Sequence, residues 1–209
     1  MSMNRFPVEE YATLELNQVA FPKTGMVVSQ TPLGAKFTTD SSVSGAYGVC
    51  ENGMWVVADK AAGVIDAPAA ATDKPIGIVY TAEKEYDMYH YGLKTFGRKV
   101  AGDYPRVGIL GVGDTVTTNC LQYDDSVFQA VTTSGSEKTS AEVLDAYLSA
   151  LDDTNKAYVV ISTKSGAKAG VPEIVKTLPN GYTGIYGRIV KYYTVPNGEK
   201  GVKYQIISL

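Results

Sequence analysis

The sequence has a single histidine, His90, and only two cysteines, Cys50 and Cys120. A protein-only zinc site draws on several His or Cys ligands at short spacing, and that pool is missing. Acyl transfer needs a nucleophile, a base and a group that orients the base. His90, set in Met88-Tyr89-His90-Tyr91, has no Gly-x-Ser-x-Gly elbow or Cys-His signature to work with, and it reads as a surface or turn histidine among aromatics. The cysteines have neither zinc-finger nor CxxC spacing, so two separate, partly buried thiols are expected, with a disulfide between them left open. No apolar run approaches the roughly 18 to 20 residues needed to span a bilayer. Met1 to Glu10 holds Arg5, Glu9 and Glu10 in place of an apolar signal core, so synthesis in the cytoplasm and no membrane partner are expected. A formal charge of −3 gives no general electrostatic reason to bind nucleic acid.

Phosphate-binding loops are also missing. Gly108-Ile109-Leu110-Gly111-Val112-Gly113-Asp114 lacks the G-x-G-x-x-G order and the P-loop lysine, and it precedes a Thr-rich strand where a dinucleotide site needs a helix. Glycines at a turn or bulge between strands are expected there. The pairs Asp124-Asp125 and Asp152-Asp153 begin no calcium loop and read as solvated turn charges. Lys164 and Lys168, diluted by Gly166 and Gly170, read as a mobile loop, with contact to an acidic partner as the second reading. No enzyme activity and no cofactor are expected.

What is present is 21 Gly, 15 Tyr and many Val and Thr, a composition suited to strands joined by tight turns. Residues 1–24 read as an N-terminal arm: Leu14, Leu16, Val19 and Phe21 form an apolar patch too small to bury itself, between Pro7 and Pro22. As an added edge strand it could contact a partner or complete a sheet of its own subunit. Residues 25–135 read as a β-rich module of β-barrel or β-sandwich type, with a hairpin of Tyr47 to Cys50 and Met54 to Ala58 turning at Asn52-Gly53. Ile76 to Thr81, Pro105 to Leu110, Asp114 to Thr118 and Val127 to Thr133 are further strands. The rings of Tyr86, Tyr89 and Tyr91 either form a recognition surface or cover the module's core.

A Ser/Thr/Gly-rich stretch, Thr132 to Thr139, marks a candidate boundary to an α+β part, residues 136–209. Thr139 or Ser140 can cap one principal helix near 139–151, whose Val143, Leu144, Tyr147, Leu148 and Leu151 recur at helical spacing. Tyr158 to Ser162 is a strand, Pro172 to Leu178 a short helix or turn, and the end a hairpin at Asn197-Gly198. The fold class is therefore mainly β with a smaller α+β C-terminal part.

Gly45-Ala46-Tyr47-Gly48-Val49 leading to Asn52-Gly53, an Ala-rich stretch, Pro75-Ile76-Gly77-Ile78-Val79 and Pro105-Arg106-Val107-Gly108 together resemble the layout of decoration, or cement, proteins of tailed-bacteriophage heads. The resemblance covers about residues 45–133. It implies a catalytically inert virion protein on the capsid exterior, contacting the major capsid protein as a homo-oligomer, with a trimer favoured, and made in the host bacterial cytoplasm. The C-terminal part departs from the minimal pattern and leaves open a head-fibre, tail or baseplate protein that binds a host surface.

Overall fold

The computed structural model describes residues 2–8, 11–15, 27–28, 31–37, 42, 48–58, 61–81, 97–98, 103–133, 136–194 and 198–209. In chain order the strands are β1 (Met3–Arg5), β2 (Val27–Val28), β3 (Cys50–Glu51), β4 (Trp55–Val57), β5 (Ile76–Val79), β6 (Gly97–Arg98), β7 (Val107–Ile109) and β8 (Thr115–Thr118). Then come β9 (Gln122–Asp124), β10 (Val131–Thr133), β11 (Ser136–Lys138), helix α1 (Ser140–Ser149), β12 (Tyr158–Val160), β13 (Glu173–Val175), β14 (Tyr186–Thr194) and β15 (Lys200–Ser208). The chain is mainly β with one helix among the described residues, as the composition predicts.

The largest sheet runs β1-β9-β13-β12-β14-β15-β8. Only Asn119 to Leu121 separate β8 from β9, so the two are halves of one bent strand. Its first half pairs antiparallel with β15 and its second half parallel with β13. Both ends of the β13-β12-β14-β15 array therefore meet on the same strand, which closes a five-stranded barrel. The N-terminal segment runs antiparallel along the other edge of the bent strand. β1 pairs with β9, Phe6 N donates to Leu121 O at 3.0 Å, Leu14 bridges Thr118, and Glu15 N donates to Thr117 O at 2.9 Å. Residues 1–24, 25–135 and 136–209 all contribute to this one sheet. The Ser/Thr/Gly-rich stretch between the last two holds the β10-β11 ribbon.

The second sheet, β2-β7-β5-β4, is antiparallel throughout. Successive side chains of a strand point to opposite faces. Trp55 and Ile78 accordingly join the barrel core with Leu14, Val116, Ile189 and Tyr204, while Val56 and Val79 join a second core with Phe37, Cys50, Ile65 and Cys120. Trp55 ties the layers together: its Nε1 donates to the Tyr204 hydroxyl at 2.9 Å, and the rings meet edge to face at 6.0 Å.

Helix α1 starts where the sequence predicts. The Thr139 side chain accepts from Glu142 N, and the Glu142 carboxylate accepts from Thr139 N at 2.8 Å, a reciprocal capping box. Asn155 Nδ2 donates to the carbonyls of Tyr147 and Ala150 and satisfies the other end. Leu144 and Leu148, four residues apart, face the barrel core and contribute about 2 kcal/mol each by burial.

Three local expectations are corrected. Asn52-Gly53 makes a tight turn, with Gly53 at φ 90° and Met54 N donating to Glu51 O, but it does not close a hairpin: β3 pairs with β6, and β4 with β5. Pro172 to Leu178 is not a helix or turn but carries β13, because Glu173 and Ile174 find a parallel partner in β9. Val127 to Thr133 is strand only in β10, and Val127 N and Phe128 N donate to Asp124 O in a turn.

Candidate functional site

Of the residues expected to contact a partner, Leu14 is described and is fully buried within its own subunit, bridging Thr118. That corrects its assignment: a side chain already packed in the barrel core is not available to another protein. Leu16, Val19, Phe21, Tyr86, Tyr89 and Tyr91, together with His90, lie outside the described residues. The Gly111-Val112-Gly113 turn has its own anion, since Gly111 N donates to Asp114 Oδ2 at 2.7 Å and Gly113 N to Ile206 O. Cys50 and Cys120 are free and fully buried in the second core, deeper than the partial burial expected. Burial pushes the Cys120 thiol up to about 12, with Glu51 adding to the effect, and moves Cys50 in the same direction.

Asp124, Lys164 and Lys168, expected to be solvated or mobile, take part instead in ion pairs centred on buried carboxylates. Glu51, 2 % exposed, accepts from Arg5 at 2.7 Å and from Lys168 at 2.8 Å through Oε1, and from Ala12 N at 2.8 Å through Oε2. Burial disfavours its ionised form, but Arg5 and then Lys168 outweigh that and hold the carboxyl below its ordinary value. Asp124, 1 % exposed, accepts from Lys164 at 2.9 Å and from Ser126 N, and Lys164 also pairs with Glu173. Burial again opposes the Asp124 charge, and the bonds from Lys164 and Ser126 prevail. The loop carrying both lysines is thus tied to the bent strand, to β3 and to β13. Gln122 fixes it further, accepting from Lys168 N at 2.9 Å and donating to Lys168 O at 3.0 Å. The solvated-turn reading fits Asp152, which accepts from Thr154 and Asn155, and fails for Asp124 because β9 carries it inward.

An open groove of about 450 Å³ lies between the N-terminal segment, the first turns of α1 and the distal β14-β15 hairpin. Phe6, Pro7, Tyr123, Leu144 and the Tyr192 ring give it an apolar surface, and Phe6 and Tyr123 meet edge to face at 6.3 Å. Glu142, Asp145, Glu199 and Lys200 supply its charges. Tyr192 OH donates to Asp145 Oδ1 at 2.6 Å, and burial followed by that carboxylate raises the phenol above its ordinary value, so it keeps its proton. The Lys200 ammonium lies 5.5 Å from the centroid of the Tyr192 ring. The bonds from Thr139 hold Glu142 below the usual carboxylate range, the opposite of what a general acid needs. This arrangement suits contact by shape and charge better than proton transfer.

The sequence reading missed the groove because its residues come from four distant places in the chain. The nearest local signal is the Thr139–Glu142 capping box, which fixes where α1 begins and hence where Glu142 and Asp145 emerge. Among the described residues no group of three or more His, Cys, Asp and Glu side chains is placed to hold a metal ion, and no helix is long and apolar enough to cross a membrane. No protein-family model, curated protein or solved structure matches the chain.

Proposed function

We propose that the chain is a virion structural protein that decorates and stabilises the capsid of a tailed bacteriophage through contacts with the major capsid protein, as a homo-oligomer and without catalysis. The observation that carries this reading is the destination of the buried charge. Glu51 and Asp124 bind cations 46, 117 and 40 residues away in sequence, tying the N-terminal segment, β3, the bent strand and the Lys164–Lys168 loop into one braced body. A head-stabilising part has to transmit force between its contacts without yielding, and ionic cross-links between distant segments serve that end. The buried thiols and the Tyr192 phenol, held protonated, supply no activated nucleophile.

The test is to add the purified protein to undecorated heads and to locate it on intact particles by electron microscopy. Saturable binding at repeated sites over the shell is the expected result. Copies confined to a vertex, tail or baseplate would replace this reading with host attachment, and absence from particles would end both.

A further inference from the structure

We propose that the groove between Phe6, α1 and the β14-β15 hairpin docks a basic, apolar-flanked segment of a partner protein, an arginine or lysine entering with its aliphatic stem against the aromatic surface and its charge at the carboxylates. The inference rests on the decoration reading, since this contact would hold the chain on the shell.

Charge selects the occupant. Three carboxylates, Glu142, Asp145 and Glu199, stand against the one ammonium of Lys200 in a groove whose remaining lining is largely apolar. An acidic segment or a nucleic acid would meet like charge there, and a purely apolar segment would strip water from carboxylates that accept from Thr139, Tyr192 and Asn119 without adding a cation. A long cationic side chain satisfies both parts, because its methylenes pack on rings while its head remains with anions. The groove already demonstrates the chemistry within the chain. Lys200 places its ammonium over the Tyr192 ring, whose hydroxyl is bonded to Asp145, so one cation is held by an aromatic face backed by a carboxylate. Glu142 and Asp145 project from exposed positions three residues apart on α1, one helical turn that a neighbouring cation can span.

The probe is the peptide acetyl-Ala-Leu-Arg-Leu-Arg-Leu-Ala-amide, titrated into the full chain at low salt and followed by backbone amide shifts, beside a counterpart with glutamate for arginine. The basic peptide is expected to shift Phe6, Leu144 and Tyr192 and to weaken as salt rises, and the acidic one to leave them unmoved. The double substitution Glu142→Gln with Asp145→Asn should reduce affinity at least about tenfold. Ala141→Trp, at an exposed helix position on the groove wall, should block entry while the thermal midpoint stays that of an intact fold. Equal binding of the acidic peptide, shifts away from the groove, or affinity unchanged in both variants overturns the proposal. Head binding separates the two readings. If wild type and Ala141→Trp decorate heads equally, the groove assignment fails and decoration stands; if the peptide seats in the groove but no head binds the protein, decoration fails and the groove stands.

Discussion

At the scale of single residues, two contacts fix how the layers meet. Trp55 is the only tryptophan, and its buried Nε1 has the Tyr204 hydroxyl as acceptor. Tyr204→Phe leaves that donor unsatisfied and is expected to cost about 1 to 3 kcal/mol, read as a lower urea midpoint together with a changed Trp55 emission maximum. An unchanged spectrum would mean that the bond does not persist in solution. Gly53 is constrained from two directions: φ of 90°, and a space in which an added Cβ would lie 2.5 Å from Cys120 Cβ and 2.7 Å from Thr118 Oγ1. Gly53→Ala should therefore destabilise by more than about 2 kcal/mol, visible as a fall in Tm, whereas the same change at Gly63, also at positive φ but with open space around it, should cost less. The sequence made Gly53 legible as a turn residue. Its pairing partners were not legible, because positive φ specifies the reversal of the chain and not which strand lies beside it.

At the scale of elements, what could be read was local. Thr139 with Glu142 and the spacing of Leu144 and Leu148 define α1 within a few residues, and Gly198 marks the reversal between two nine-residue strands. β13 escaped because it is only three residues long, Glu173-Ile174-Val175, and directly follows Pro172, and its strand character depends on β9, far earlier in the chain. The N-terminal segment is the other such case: as far as Glu15, its described part is built into the sheet of its own subunit. Deleting residues 2–8 removes β1, the buried ring of Phe6 and the Arg5 partner of Glu51, and should lower stability by at least about 4 kcal/mol in chemical denaturation. A truncated protein with an unchanged midpoint would show that the segment contributes nothing to the fold and would restore it as a free arm.

For the whole molecule, the buried carboxylates set the response to acid. The folded-state pKa of Glu51 lies below its unfolded value, near 4.3, so its contribution is complete above that value and is lost as pH falls through the folded one. Asp124 acts in the same sense. Glu51→Gln, which leaves Arg5 and Lys168 without their anion, should cost about 3 kcal/mol near pH 7. The gap between variant and wild type should narrow as pH falls through the folded-state value of Glu51, below which the side chain at position 51 is neutral in both proteins. Urea midpoints across that range check the sign, and a gap that widened in acid would refute it. None of this could be read from Glu51 in the sequence, because its cations lie 46 residues before it and 117 residues after it. The groove was hidden for the same reason, its Phe6, Tyr123, Leu144 and Tyr192 converging only when the barrel closes.

The bent strand of β8 and β9 has a consequence for synthesis. Its partners are β1, already made, and β13 and β15, which follow it by 50 and 80 residues or more in the order of translation. A ribosome adding about 5 to 20 residues each second leaves those edges open for several seconds. During that interval the nascent chain exposes paired but unclosed strands, the form most prone to joining another copy edge to edge. Slow translation through residues 125–200, or premature termination before β15, should therefore yield aggregate in place of a smaller folded protein.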